Sequence, residues 1–544
     1  MTQPDHAKTD VAGPKDHAGL TIPDLLARQA RMRGDALALS AASGAGARQR
    51  LDYRGLHRAS LMAAAHLAAA GLGAGDRLGI YLTNDWALEC FVGALGALYL
   101  GAVVVPLNTR SAPAELCHAL TLTTPRLILR HAPDSATLEA AIALGQAKGM
   151  DPPRCHDAAA MTAPRPIPSD PQGAGPDVDA LGCLLFTSGT TGQAKAVMHS
   201  HRTMIATGHC SGGALGLRAG DTYQGAFPFF TSSALNLAGM SCWVAGAGLV
   251  IEGQIDTAAR LDLIRNEGTT FYHGVPSVLN FMTQTFDPAR HDLRGLRVIA
   301  NGGATMPGAL GARIAQLWPW AAQVQIYGMT ESGPAGTVLP PAFIESKAGS
   351  VGRAMAGMQI DILNEAGQPV PPGTMGEIAL TGAPVALGYY RNPAATADAF
   401  DGRRIRTGDM GQLDADGFLW FGDRKKDMIN RGGLKIASVA VENALYSHPD
   451  VLEAAVIAIP HPDLGEDVAA VIVAHRGKAG PELADALQAL CRAALADYAV
   501  PRRILFQDSL PRNPMGKILK SDLRRALGDA LTDTPAKDRT APGS

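Results

Sequence analysis

The segment that most narrows the folds open to this chain is Leu184-Leu185-Phe186-Thr187-Ser188-Gly189-Thr190-Thr191-Gly192-Gln193-Ala194-Lys195. An apolar run of strand character ends abruptly in hydroxyls, two glycines and a lysine. Small residues let backbone N–H groups approach an anion, the threonine and serine hydroxyls add donors, and Lys195 adds a positive charge. Thr187, Ser188, Gly189, Thr190, Thr191, Gly192 and Lys195 therefore read as a phosphate-binding loop at the end of a buried strand. The plain alternative is a polar surface turn. The glycine-to-lysine spacing is not that of a P-loop, and no GxGxxG dinucleotide fingerprint occurs in the chain.

Around this loop the pattern alternates. Helical periodicity covers Leu56 to Ala70 and Ala258 to Glu267, and strand-like runs cover Leu181 to Phe186, Leu249 to Glu252 and Leu296 to Ala300. Such alternation predicts an α/β architecture with helices on largely parallel sheets. At 544 residues the chain needs more than one domain. The prolines between Pro152 and Pro176 predict an exposed connection, since no helix survives that density. After Asp423 the texture changes to a charged joint, Asp423-Arg424-Lys425-Lys426-Asp427, followed by a small α+β unit. The expected division is a frayed tail over 1–20, a main domain over 21–425, a small mobile domain over 426–528 and a second tail over 529–544.

Charge and cysteine content exclude several classes. A formal net charge of −2 offers no basic excess for nucleic acid or an anionic membrane surface. The seven cysteines are scattered without a CxxC pair, which argues against a disulfide framework or a zinc site and fits a reducing cytoplasm. The first twenty residues lack an apolar signal core. The apolar run from Cys90 to Leu107 is short, carries Gly93, Gly96 and Gly101, and reads as a core helix feeding a buried strand rather than as a membrane span.

Further motifs follow in a fixed order: Asn301-Gly302-Gly303-Ala304, Tyr327-Gly328-Met329-Thr330-Glu331-Ser332, Gly376-Glu377-Ile378 through Gly388-Tyr389-Tyr390, and Arg406-Thr407-Gly408-Asp409. Last come Gly422-Asp423-Arg424-Lys425-Lys426-Asp427 with Gly432-Gly433-Leu434-Lys435, and Pro511-Arg512-Asn513-Pro514-Met515-Gly516-Lys517-Ile518. With the glycine loop, this series closely resembles the adenylate-forming superfamily of acyl-CoA synthetases, peptide-synthetase adenylation domains and luciferases. The resemblance spans nearly the whole chain. It implies a large multi-layer N-terminal domain plus a small mobile C-terminal one, with ATP, Mg²⁺ and coenzyme A as reactants.

The resemblance also implies roles. Gly302, Gly303 and Ala304 would pass along the adenine, on which Tyr327 stacks beside Gly328 and Met329. Thr330 would face phosphate and Glu331 would help hold Mg²⁺, as a hard cation wants carboxylate and phosphate oxygens together. Taken alone, Thr330-Glu331 could equally be a helix cap. Asp409 and Arg424 would reach the ribose, and Lys517 would be the catalytic lysine bridging the carboxylate and the α-phosphate. Lys426 sits at the hinge position. Gly432, Gly433 and Lys435 would border the coenzyme A path. The Gly376–Tyr390 stretch reads as structural. Where relatives carry Gly-Arg, this chain has Gly422-Asp423-Arg424.

The expected reaction is attack of a carboxylate on ATP to give acyl-AMP and pyrophosphate, then transfer of the acyl group to coenzyme A. No enzyme nucleophile is needed. Candidates for the acyl pocket are Phe229, Phe230, Thr231, Asn236, His273, Gly274, Gly303 and Met329, with Thr231 standing where many acyl-CoA synthetases have histidine. The aromatic pair favours an apolar monocarboxylate, and no lysine or arginine among the candidates invites a second carboxylate. Because the chain stops soon after Lys517, a freestanding ligase is expected, with a homodimer as the candidate assembly. A ligase that loads a carrier-protein thiol is the alternative. An oxidative luciferase, or a binding protein that keeps the fold without turnover, is further away.

Overall fold

A computed structural model describes residues 19–44, 46–167, 175–187, 193–303, 306–424, 427–512 and 518–532. Two α/β sheets make the main body. The first has six strands in the order Arg154–Asp157, Leu127–Arg130, Arg77–Tyr81, Val103–Pro106, Leu181–Thr187 and Lys195–Ser200. All its pairings are parallel except the final hairpin, in which Thr187 faces Lys195. The second sheet has nine strands, and its centre is parallel: Ala322–Tyr327, Val298–Asn301, Phe271–Gly274, Thr222–Gly225, Gly248–Ile251 and Leu37–Ala42. Antiparallel strands close both of its edges.

The apolar run after Cys90 is the helix Ala87–Tyr99 followed by the strand Val103–Pro106, as its glycines and β-branched residues predict. Every residue of this helix is buried, and it touches strands of both sheets. A helix apolar on all faces belongs in such an interior slot. Gly96 explains how tightly it fits: a Cβ there would lie 2.8 Å from the Ala64 nitrogen on the helix Tyr53–Ala69. The one charged residue in it, Glu89, accepts from Ser43 Oγ at 2.7 Å. Among the described residues no helix is long and apolar enough to cross a membrane.

Beyond residue 357 a third sheet adds to these two largely parallel ones. Met358–Leu363, Gly376–Gly382, Phe400–Asp401, Arg404–Leu413 and Leu419–Arg424 form a five-stranded, wholly antiparallel sheet. Short turns at 402–403 and 414–418 join the last three of these strands, and antiparallel pairing needs no crossover between them. The proline-rich connection also contains structure: Arg154–Asp157 pairs with Leu127–Arg130, and Ala158 and Met161 are buried. Pro152 and Pro153 precede that strand, where proline is tolerated. Residues 168–174 lie outside the described residues.

A second unit follows Arg424. Leu434–Ile436, Ile429–Arg431, Gly465–Ala474 and Val451–His461 pair antiparallel, and Arg503–Phe506 adds in parallel. The helices Ser438–Tyr446 and Pro481–Ala494 cover this sheet's own apolar core. The helix Lys520–Thr532 extends through the first residues of the expected C-terminal tail. Residues 1–18 and 533–544, most of the two expected tails, lie outside the described residues.

Asp423 links the two units. It is almost fully buried, and its Oδ2 accepts from the Ser438 amide at 2.7 Å and from the Ser438 hydroxyl. Lys520 donates to that same hydroxyl and pairs with Glu442 at 2.7 Å. The departure from the family's Gly-Arg is thus a buried carboxylate tying the last strand of the antiparallel sheet to the first helix beyond it. Lys425 and the expected hinge Lys426 lie outside the described residues.

Candidate active site

The carboxyl ends of parallel strands are where open α/β sheets bind ligands. Here Thr187 ends one such strand, and Gly274, Asn301 and Tyr327 end three neighbours in the second sheet. The residues 302–303 and 328–332 leave from these ends.

Two polar clusters form at this rim. The first is built on Asp409, which is 7% exposed. Tyr327 donates its hydroxyl to Asp409 Oδ2 at 2.7 Å. Arg424 Nε lies 3.5 Å from Oδ1, near enough for attraction but not for a good hydrogen bond. Asp409 and Arg424 are register partners on adjacent antiparallel strands, so pairing alone places them side by side. Behind them, Glu377 accepts from Arg406 at 2.6 Å and from the Gly408 amide at 3.2 Å, which holds the Arg406–Asp409 turn. Burial, with the carboxylate beside it, pushes the Tyr327 hydroxyl well above its ordinary pKa, so it stays a donor.

The second cluster surrounds Glu331, which sits on a short 3-10 turn from Thr330 to Ser332. Its Oε1 accepts from the Tyr389 hydroxyl at 2.9 Å and from Thr187 Oγ1 at 3.4 Å. The Tyr389 ring in turn lies under Lys195, whose Nζ is 4.6 Å from the ring centroid. Burial raises the pKa of Glu331, against the lowering effect of hydrogen bonds to its own backbone, Tyr389 and Thr187 and of the Arg424 charge. The neighbouring Thr330 hydroxyl meets Ser232 Oγ at 3.1 Å.

His199 and Tyr389 are functional neighbours that the sequence reading does not single out. His199 is fully buried on the strand after the glycine loop, and its Nε2 is 2.9 Å from the Thr330 carbonyl. A carbonyl only accepts, so Nε2 carries the proton, and Nδ1 lies 3.2 Å from Thr203 Oγ1. Burial lowers the His199 pKa to about 4, so the ring is a neutral clamp on Thr330. The signal was alternation: on a strand whose inward residues include Val197, a histidine two places on must also point inward. Tyr389, read as purely structural, is a hydrogen-bond donor to Glu331.

The acyl candidates separate. Phe229 is a core residue, its ring edge-on to Phe91 at 5.1 Å. Phe227, not singled out from sequence, stands edge-on to His273 at 5.0 Å. The Thr231 hydroxyl is committed to the Pro228 carbonyl at 2.8 Å. Asn236 lies on a π-helical stretch, Ser233–Gly239, with both amide atoms buried and without a hydrogen-bond partner among the described residues. A π-turn is uncommon and often marks a functional site. A Cβ on Gly302 would meet Ile326 Cγ1 at 2.9 Å and His273 Nε2 at 3.4 Å, so only glycine passes this point. Gly303 takes φ +79°, which also favours glycine. Phe230 is half-buried next to Thr231, Gly274 ends its strand, and Met329 packs half-buried against the antiparallel sheet.

Gly432 and Gly433 are the two-residue turn between Ile429–Arg431 and Leu434–Ile436, with φ of +59° and +89°. Two consecutive positive φ values are what a tight hairpin turn of the primed type demands. The turn alone accounts for both glycines, and Lys435 stands exposed on the strand after it. Ser188, Gly189, Thr190, Thr191, Gly192, Ala304, Lys426 and Lys517 lie outside the described residues.

Comparison with known proteins agrees with this geometry. The model for the AMP-binding enzyme family matches residues 26–390, and that for the AMP-binding enzyme C-terminal domain matches residues 440–517. The chain belongs to the AMP-binding enzyme family. It is an adenylate-forming acid–thiol ligase. A feruloyl-CoA synthase from an Amycolatopsis species is 35% identical over 503 residues, covering 92% of this chain and 98% of that one. A long-chain-fatty-acid–CoA ligase from Mycobacterium tuberculosis is 32% identical, covering 87% and 93%. Among solved structures, o-succinylbenzoate CoA synthetase from Bacillus subtilis with its acyl-adenylate intermediate superposes with a TM-score of 0.81 at 27% identity, covering 93% and 98%. The same enzyme with ATP and a magnesium ion gives 0.80.

Asp409 carries a prediction of its own. Asp409→Ala strands the Tyr327 hydroxyl and removes the carboxylate beside Arg424. Hydrogen bonds to charged groups contribute about 1.5–3 kcal/mol. The KM for ATP is therefore expected to rise about tenfold to a hundredfold, with the KM for the acid nearly unchanged. Steady-state kinetics varying each substrate in turn checks this, and equal rises for both would remove Asp409 from the nucleotide site.

Proposed function

We propose that the chain is an ATP-dependent carboxylic acid–CoA ligase that forms acyl-AMP with release of pyrophosphate and then the acyl-CoA thioester with release of AMP. The observation that carries the reading is the pairing of two clusters on one rim: Asp409 with Tyr327 and Arg424, and Glu331 with Thr187 and Tyr389. The first suits a ribose, whose vicinal hydroxyls donate to a carboxylate. The second suits a magnesium ion held between Glu331 and phosphate oxygens. Magnesium bound there supplies charge neutralisation for the departing pyrophosphate.

The residues divide the work. Thr187 through Lys195 hold the outer phosphates, His199 and Ser232 orient Thr330, and Gly302 and Gly303 let the nucleotide and acyl group pack on bare backbone. Two anions must meet in the first step, so orientation and positive charge account for most of the acceleration. Lys517 supplies that charge at the reacting centre. The small domain, beginning near Lys426, then turns to admit the thiol. Its turn at Gly432-Gly433 and the nearby Lys435 border the coenzyme A path. Every named residue comes from one chain, and a homodimer is compatible with the reading. The acid-handling enzyme works in the reducing cytoplasm.

The substrate is a mainly apolar monocarboxylic acid. Relatives named for feruloyl, fatty acyl and indoleacetate groups share this character. A panel of aliphatic and aromatic acids with ATP and Mg²⁺, followed by pyrophosphate release with and without coenzyme A, tests the reading. Acid-dependent pyrophosphate and a CoA thioester are expected. Adenylate that accumulates without thioester, for every acid that is adenylated, would instead make the chain a carrier-loading ligase.

A further inference from the structure

His273 is the last residue but one of a central strand of the nine-stranded sheet, beside the point where Gly302 leaves its own strand. Its Nδ1 is 2.5 Å from the hydroxyl of Tyr223, on the adjacent parallel strand. Both residues are buried. Tyr223 has no other hydrogen-bond partner for its hydroxyl proton among the described residues, so leaving that proton unused would strand a buried donor. The hydroxyl therefore donates to Nδ1, and the ring's own proton sits on Nε2. That atom faces the space over Gly302, 3.4 Å from where a Cβ would stand, and has no protein partner among the described residues. Tyr223 is itself held by stacking on Phe271 at 4.9 Å and 11°. Phe227 closes the other side of the imidazole.

We propose that the Tyr223–His273 pair is a specificity device that presents one fixed Nε2–H donor to the acyl site, selecting acids that carry a neutral acceptor oxygen (a phenol, ether or carbonyl) on an otherwise apolar body. The proposal rests on the acid–CoA ligase reading and narrows its substrate class. Burial lowers the His273 pKa to about 3, so the donor is an uncharged imidazole across the working range. A neutral donor matches a neutral oxygen. It would not offset the desolvation of a second carboxylate. Sites built to hydrogen-bond a substrate oxygen also reject the analogue that lacks it, because the protein's own polar group is then left unpaired.

The test pairs 3-phenylpropenoic acid with its 4-hydroxy and 4-methoxy derivatives, and straight-chain acids with keto-substituted ones. The parent enzyme is expected to favour at least one oxygen-bearing member of a pair by tenfold or more in kcat/KM. In His273→Phe that preference should fall below threefold, while His273→Gln, which keeps an N–H donor, should retain part of it. Tyr223→Phe should weaken the preference by loosening the tautomer. Independently of any variant's activity, nitrogen-15 spectra of histidine-labelled parent enzyme, with the His273 signal assigned by its loss in His273→Gln, should show a neutral ring protonated at Nε2. A proton on Nδ1, or a preference that His273→Phe leaves intact, would overturn the proposal while the ligase activity stands. Absence of acid-dependent pyrophosphate with every acid would remove the ligase reading itself.

Discussion

Lys517→Ala is expected to slow acyl-adenylate formation about a hundredfold or more, the usual result of removing a charge aimed at a reacting centre shielded from water. The residue lies outside the described region, so the expectation comes from its motif, Pro511 through Ile518, and from the chemistry. A carboxylate attacking a phosphate ester needs a cation between the two. A compact ammonium can touch both oxygens at once. Lys517→Arg should rescue only partly, because a planar guanidinium fork does not reproduce that contact. The defect should be confined to the first step. Chemically supplied acyl-adenylate plus coenzyme A should still give thioester, since the proposed turn of the small domain would take Lys517 out of the second step. A surface lysine would change stability by less than about 0.5 kcal/mol and leave turnover alone. Single-turnover measurement of both half-reactions separates the cases, and an alanine variant adenylating at the parental rate would end the assignment.

Glu331→Gln is expected to produce a loss of similar size for a different reason. Glutamine can keep the contacts that Tyr389 and Thr187 make with Oε1, yet it removes the charge that would hold magnesium. Adenylation should drop about a hundredfold. The fold should not suffer. Burial raises the pKa of Glu331 above its ordinary value. A carboxyl whose pKa is higher folded than unfolded contributes stability only at low pH, and that contribution is lost as pH rises through the folded pKa. At neutral pH the buried charge therefore costs stability, and the glutamine variant should melt no lower than the parent. Activity has the opposite pH dependence. The ionised, metal-binding form is lost as pH falls through the raised pKa, so kcat/KM for MgATP should decline on acidification earlier than an ordinary glutamate would dictate. The glutamine variant should lack that limb. A clear fall in Tm with an unchanged acid limb would make Glu331 a packing residue instead.

These two residues also show how differently the site is encoded. Lys517, Glu331, Asp409 and the glycine loop stand in short strings whose residue types are dictated locally. A phosphate loop needs small residues and hydroxyls in succession, and a hairpin with two positive φ values needs glycines. Such strings are readable along the chain, and their order was enough to indicate an α/β ligase with a smaller second unit. The glycines at 432 and 433 show the limit: their presence was legible, but whether they serve a ligand path or a turn was not. The backbone dihedrals of the hairpin show the turn, and the proposed ligand path runs beside it.

Side-chain partnerships were not legible. Tyr389 reaches Glu331 across 58 positions of sequence, and His199 reaches Thr330 across 131. Only the sheet pairing brings them together, and nothing local to tyrosine or histidine distinguishes a site residue from a core one. The aromatic residues near the acyl site show the same. Phe229 and Phe230 look like a pocket pair in sequence, yet Phe229 packs on the interior helix and Phe227 on His273. Proton placement is further still from the chain. His273 carries its proton on Nε2 because the neighbouring strand sets a buried tyrosine hydroxyl against Nδ1 with nowhere else to donate. Sequence alone determined which reactive groups this protein owns and the order of its domains, because the residue types of each motif are set by what a few adjacent positions must supply. The tertiary structure decided which groups face one another, which are charged and which way each hydrogen bond runs, because burial and partner geometry arise only when strands distant in sequence lie side by side.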